Sequence, residues 1–463
     1  MAGCLIGAEA ARQLGIDSVF YVSALALGCL YVSTRFSEVL WVGFLLLALT
    51  AQLYQLQIDE LGDSVRGGYR PYILVVVMMG LSFLAGRWLV SRRERTHRSS
   101  KCSFVNRRFA FFVGVFFLAL CFGYFNHPRP VDLADVLRDC SGFFTFVVFL
   151  LIGLWMSPSE GAIQKSFSRL RLATLAYSIF FLVKFFYLSQ FFGADETAAG
   201  YGYSQRDIIF FCGLTFAALV SQVLTAEARC RWRAIWPAAL ALLWATLLSG
   251  SRSILLCELL VSLILMLCRR SKGKLVLILV GVTVPLIAFL ALSLDLPTRS
   301  DSGEKLLGYV ANRFLVASAE DTSLLARLSQ VDAVADALRN HPLLGAGPLA
   351  VYSFFDPIGG WKETTFLDSG LGYLLMKTGL LGTAVFFWFA AGWLKMERRL
   401  RQLVPTLAVL SLSTFVFYLV FLFFGPSFFE FQHSWLIGIL TGYSTLVAST
   451  YRITKTGRTL AAV

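Results

Sequence analysis

The chain is 463 residues long, 57% hydrophobic and only 15% charged, with a formal net charge of +13 and a mean hydropathy of +0.70. This balance excludes a soluble globular fold, which could not bury so much apolar surface. The positive charge reads as a membrane-topology signal before it reads as a nucleic-acid footprint, so no nucleic-acid partner is expected.

A helix that crosses a bilayer needs roughly 20 mostly apolar residues. By that test thirteen segments are predicted to span, near 16–33, 38–56, 72–90, 109–125, 141–156, 172–190, 207–226, 235–249, 253–268, 275–294, 370–394, 402–424 and 433–451. The expected fold is therefore all-α, a polytopic transmembrane bundle of about 13 spans (11–13), forming one integral membrane domain over 1–463. The first fifteen residues lack a basic region followed by an apolar core, so no cleaved signal peptide is expected and the first span does the targeting.

Lysine and arginine set the orientation, because loops kept on the cytoplasmic side carry an excess of them. The loops 34–37, 91–108, 157–171, 227–234, 269–274, 395–401 and 452–463 fall on one side and hold 25 of the 41 basic residues. The predicted topology has the N-terminus outside and the C-terminus inside. Ionisable residues within spans are few: Arg87, Lys184, Glu258 and Lys377. Of the nine cysteines only Cys4 and Cys140 fall outside, and with no C-x-x-C pair neither a zinc site nor a disulfide framework is indicated.

Candidate chemistry lies toward the outer side in the second half. Arg206, in Tyr203-Ser204-Gln205-Arg206-Asp207, opens a span there, and Arg252 follows in the turn Leu248-Ser249-Gly250-Ser251-Arg252-Ser253. An arginine at the mouth of a bundle either serves a site or snorkels to lipid phosphates, and position alone leaves both open. Next comes an outer loop of about 75 residues, 296–369, too long for a mere connector. Within it, Leu324, Leu328, Val331, Ala335 and Leu338 recur at helical spacing, predicting a helix over 322–340 that presents Arg327, Asp332, Asp336 and Arg339 away from its apolar stripe. His341-Pro342-Leu343-Leu344-Gly345-Ala346-Gly347-Pro348 then stops the helix with tight turns, and an irregular segment, Asp356 to Phe366, leads back to the membrane at Asp368.

Arg206, Arg252, Arg313 and Arg327 together would suit a diphosphate, since guanidinium offers planar bidentate donors and stays charged. The candidate acids are Asp356, Glu363 and Asp368. Asp368 stands where a span begins, so it reads either as a reactive carboxylate or as a helix N-cap. His341 in its turn and His433 at the start of the last span read more simply as structural. No P-loop, metal-ligand cluster or nucleophile elbow is present in the sequence, and no metal or cofactor is expected.

Four features in order resemble the bacterial O-antigen ligase and Wzy-type polysaccharide polymerase superfamily. They are the Ser-Gly-Ser-Arg-Ser turn at 249–253, the long late outer loop, Arg327 leading by a helix into His341-Pro342-Leu343-Leu344-Gly345-Ala346-Gly347, and Asp368-Ser369-Gly370-Leu371-Gly372-Tyr373-Leu374-Leu375 running into Thr378-Gly379-Leu380-Leu381-Gly382. The resemblance covers about 206–395. It implies a metal-independent glycosyltransferase of the GT-C type on the outer face of the bacterial inner membrane, moving a glycan from undecaprenyl diphosphate to an acceptor hydroxyl. It further implies that Arg252 and Arg327, with Arg206 less directly, hold the donor diphosphate. The ligase branch commonly places its base in a His-Asn-x-x-Leu setting, whereas this chain has Asp368-Ser369-Gly370-Leu371. That departure points to the repeat-unit polymerase branch, with Asp368 as base or acceptor-orienting group. Its expected partners are the lipid-linked donor and glycan acceptor, membrane lipids, a chain-length regulator and a flippase. The alternatives are a glycan ligase acting on lipid A-core or protein and, from another class, a lipid-linked glycan flippase or secondary transporter.

Overall fold

A computed structural model describes residues 104–125, 139–155, 160–192, 205–223, 232–249, 251–269, 322–347, 350–356, 360–364, 367, 369–425, 429, 431–453 and 460–462. These residues are mostly helical. In chain order they form α1 (Phe104–Phe125), α2 (Ser141–Trp155), α3 (Glu160–Phe192), α4 (Arg206–Val223), α5 (Trp232–Leu248), α6 (Arg252–Arg269), α7 (Thr322–Asn340), β1 (Tyr352–Asp356), β2 (Gly360–Thr364), α8 (Gly370–Leu403), α9 (Pro405–Phe421), α10 (Phe431–Thr450), β3 (Tyr451–Ile453) and β4 (Leu460–Ala462). Nine of the thirteen predicted spans fall on α1 to α6 and α8 to α10. The other four, 16–33, 38–56, 72–90 and 275–294, lie outside the described residues. Among the described residues three helices are long and apolar enough to cross a membrane, over Arg107–Phe125, Ser168–Ser189 and Gly370–Leu403, and shorter apolar helices accompany them.

The described elements divide into two compact units. In the first, α4 packs against α3, α5 and α6. Every side chain of α4 from Ile208 to Ser221 is buried, as expected for a helix that is apolar all round and surrounded by others. Helices α5 and α6 form an antiparallel hairpin around Ser249–Ser251, and near its tip Thr246 Oγ1 donates to Glu258 Oε1 at 2.8 Å.

In the second unit α2 lies closely along α10. Small residues allow it: a Cβ added to Gly442 would stand 2.1 Å from the Leu150 carbonyl oxygen, one on Gly438 would stand 2.6 Å from that of Phe146, and one on Gly153 would stand 2.3 Å from that of Ile439. Gly438 and Gly442 form a G-x-x-x-G pair, the pattern that lets membrane helices bring their backbones together. Larger rings fill the seam of α1, α2 and α8. Phe112 is buried, its ring centroid 5.5 Å from Phe386 and 5.8 Å from Phe143 in edge-on contact. Such a pair contributes about 0.5–1.5 kcal/mol beyond the area it buries.

Helix α8 is broken at Gly379, whose φ of 64° only glycine adopts without strain. The loop after α7 fills the break. Leu380 N donates to the Pro342 carbonyl at 2.9 Å, Leu381 N to that of Leu343 at 3.1 Å, and Ala346 N to that of Met376 at 2.7 Å. The main-chain groups freed by the break are thus satisfied by His341–Gly347, a requirement wherever water is excluded.

Two expectations are corrected here. Residues between Asp356 and Phe366 are not irregular throughout: β1 and β2 form an antiparallel hairpin with Phe355 opposite Trp361, and β3 with β4 forms another, so the fold is not purely helical. The predicted helix over 322–340 is present as α7, but its apolar stripe is not the packed face. Leu328 and Val331 are 54% and 63% exposed, whereas Gln330 and Val334 are 7% and 8% exposed. Val334 approaches Gly372 at the start of α8, and β1 takes another side through Phe355 N donating to Ser329 Oγ at 2.8 Å.

Candidate functional site

In the first unit the Ser-Gly-Ser-Arg turn is set by its own hydroxyls. Ser249 Oγ donates to the Thr246 carbonyl at 2.7 Å and accepts from Ser251 N at 3.4 Å. The Ser251 carbonyl then receives Ile254 N and Leu255 N, which starts α6 at Arg252. Arg206 starts α4, after Gln205, whose side-chain oxygen accepts from the buried Tyr177 hydroxyl. With α5 running back between them, α4 and α6 point the same way. Cys212 and Glu258, each six residues into its helix, lie close enough to interact electrostatically. Both arginines therefore begin their helices at one end of the unit. Their side chains lie outside the described residues.

Glu258 is fully buried. Its Oε1 is held by Thr246, and Oε2 has no hydrogen-bond partner among the described residues. The sequence marks this carboxyl as an ion within a span but does not reveal Thr246 as its partner.

In the second unit Arg327 is half-buried in the second turn of α7. Asp368 and Arg313 lie outside the described residues, as does the side chain of Asp356, while Glu363 is exposed on β2. The capping reading of Asp368 is overturned: the N-cap of α8 is Ser369, whose side chain accepts from Gly372 N at 3.3 Å. Gly370 N and Leu371 N donate to the carbonyls of Gly425 and Leu422 at 3.1 and 2.9 Å. The first amides of α8, which in a free helix would attract an anion, are thus used within the protein. His341 is exposed, and its main-chain N–H closes the last turn of α7 on Ala337. His433 is buried, its carbonyl accepting from Tyr418 Oη at 2.6 Å.

Lys377 is not a lone charge within its span. Its Nζ pairs with Asp139 Oδ2 at 2.8 Å, it stands 5.6 Å from the Tyr373 ring centroid, and Tyr373 Oη donates to the Asp139 carbonyl at 2.8 Å. Asp139 went unnoticed in the sequence. A lysine in an apolar run demands a counter-ion, but nothing in the spacing selects one 238 residues away. Beside it Cys140 is a free, buried thiol pushed up to about 12 by burial and by the Asp139 charge, which suits it poorly to disulfide chemistry. Cys4 lies outside the described residues.

Residues 237–387 match the family model described as O-antigen ligase. This segment belongs to the O-antigen ligase and Wzy-type polymerase superfamily. The matched stretch runs from α5 through the break in α8 and contains Arg252, Arg313, Arg327 and Asp368, leaving Arg206 upstream. With its apolar helices, the O-antigen ligase domain marks an integral membrane protein. No curated protein matches the chain.

Proposed function

We propose that the chain is a metal-independent, inverting glycosyltransferase that polymerises undecaprenyl-diphosphate-linked repeat units into O-antigen, capsule or exopolysaccharide. It would act at the outer face of the bacterial inner membrane, as one integral membrane domain with its N-terminus outside and its C-terminus inside. The observation that carries this reading is the O-antigen ligase match, which takes in Arg252, Arg327 and Asp368 together. In the reaction, the bond from the sugar's anomeric carbon to the diphosphate oxygen breaks as an acceptor hydroxyl oxygen attacks from the opposite face. The hydroxyl proton passes to Asp368, and undecaprenyl diphosphate departs with the bonding electrons. Arg252 and Arg327, with Arg206 and Arg313, oppose the growing diphosphate charge, where fixed cations in a dry site stabilise the transition state most.

Two observations support placing Asp368 in this role. It stands where the ligase branch commonly has histidine, and Ser369 already caps α8. The family description itself favours a second reading, transfer of the finished glycan to lipid A-core or protein.

A deletion strain complemented with wild type, Arg252→Ala, Arg252→Lys or Asp368→Ala tests the proposal, with glycan length read on gels and membrane protein levels checked. Polymerase activity predicts loss of long chains in all three variants while single repeat units persist on the outer leaflet. Full-length chains left unattached would indicate the ligase, and repeat units held on the cytoplasmic leaflet a flippase. Near-normal ladders from Arg252→Lys would assign Arg252 to headgroup snorkelling, because a point charge cannot reproduce a bidentate fork.

A further inference from the structure

Three sides of α7 differ. At about 100° per residue, Gln330 and Val334 fall within about 40° of each other on the side turned to α8. Leu328, Val331 and Ala335 fall within about 60° on a second, exposed side, and Asp332, Asp336 and Arg339 within about 60° on a third, also exposed and interrupted by Leu325. Strand β1 approaches along Ser329, between the packed and the acidic sides. The apolar flank and the acidic one beside it are the sides left open.

The position of α7 along α8 identifies what covers that flank. Helix α8 runs unbroken from Leu380 to Leu403, beyond its break at Gly379, about 36 Å at about 1.5 Å per residue, against a hydrocarbon core of about 30 Å. Lys395, Arg398, Arg399 and Arg401 crowd its C-terminal part and hold that end among headgroups. Counting back about 20 residues from Lys395 puts the opposite membrane boundary near residue 375. Val334 of α7 meets α8 at Gly372, and the loop after α7 enters it at Gly379, so both contacts straddle this boundary. A helix with one apolar and one charged flank, held at that level by a third side, lies in the plane of the interface.

We infer that α7 is an interfacial helix whose Leu328, Val331 and Ala335 flank is immersed in the acyl region of the outer leaflet, with Asp332, Asp336 and Arg339 turned to water. The occupant is the bilayer lipid itself: Leu380 and Leu381 of α8, next to the inserted loop, are likewise apolar and exposed, as a surface turned to lipid would be. On the proposed glycosyltransferase reading, this immersion also sets the depth of Arg327, which lies between the packed and apolar sides, at the level of a lipid diphosphate. The contact with lipid does not depend on that reading.

The test uses the full chain in nanodiscs of phosphatidylethanolamine and phosphatidylglycerol, with photoreactive benzoylphenylalanine placed singly at positions 328, 331, 332 and 336. After illumination, mass spectrometry is expected to find phospholipid adducts at 328 and 331 and their loss at 332 and 336. Absence of adducts at all four positions, or cross-links from 328 and 331 to the chain's own peptides or to a second copy, would overturn the inference. Adducts at 328 and 331 that form only after polyprenyl phosphate is added would replace the bilayer by a lipid-tail groove. Because the readout is lipid contact and not glycan synthesis, it stands or falls separately from Arg252→Ala and Asp368→Ala.

Discussion

Lys377 Nζ and Asp139 Oδ2 lie 2.8 Å apart with side chains only 1% and 6% exposed, joining the residue before Cys140 to the first half of α8. Removing one member of such a buried pair strands the other charge away from water, which costs about 3–5 kcal/mol, whereas replacing both with apolar groups of similar size is often neutral. Lys377→Met is therefore expected to lower the thermal unfolding temperature in detergent sharply, and the double variant Lys377→Met with Asp139→Leu to recover most of the loss. A double variant no better than the single one would show that the pair supplies more than charge balance.

The break in α8 yields a second prediction. A Cβ on Gly379 would stand 2.4 Å from the Leu343 carbonyl oxygen, and one on Gly345 would stand 2.5 Å from that of Met376, both on left-handed backbone. Gly379→Ala and Gly345→Ala are each expected to destabilise by more than about 2 kcal/mol, read as loss of folded protein from membranes and a lower unfolding temperature. Gly114→Ala on α1, where an added Cβ meets nothing within 4 Å, is the control and should stabilise slightly through helix propensity.

The α2 and α10 contact can be tested at Gly442. Gly442→Val would drive a branched side chain into the Leu150 carbonyl and the Leu154 amide. Because the seam consists of backbone, no side-chain rotamer relieves the clash. Protease sensitivity of the C-terminal helices in purified protein should rise strongly. Unchanged sensitivity would mean the two helices can separate without loss of structure.

Thr246 and Glu258 separate hydrogen bonding from charge. Thr246→Val leaves Glu258 Oε1 without its donor in the bundle interior, at a cost of about 1–3 kcal/mol, while Thr246→Ser keeps the hydroxyl. Glu258→Gln retains a carbonyl acceptor, and its unfolding temperature should stay near wild type. If Glu258→Gln instead abolished glycan synthesis with folding intact, the carboxyl would be carrying a proton that an amide cannot.

By itself the sequence determined the features that depend on composition and local spacing. Apolar runs of membrane length foretold nine of the helices, and the helical period of its apolar residues foretold α7 at Thr322–Asn340. The order of the Arg252, Arg327, His341–Gly347 and Asp368 motifs foretold the family. These are short-range properties, each readable in one stretch of chain. The tertiary structure decided which groups meet: Lys377 with Asp139, Thr246 with Glu258, and His341–Gly347 with the break at Gly379, so that two motifs separate in sequence form one hydrogen-bonded unit. It also decided which face of α7 is packed. Periodicity shows that Leu328, Val331 and Ala335 share a flank, but in a membrane protein an apolar flank can be covered by protein or by lipid. Only the contacts of Val334 and Ser329 show which sides of α7 protein covers.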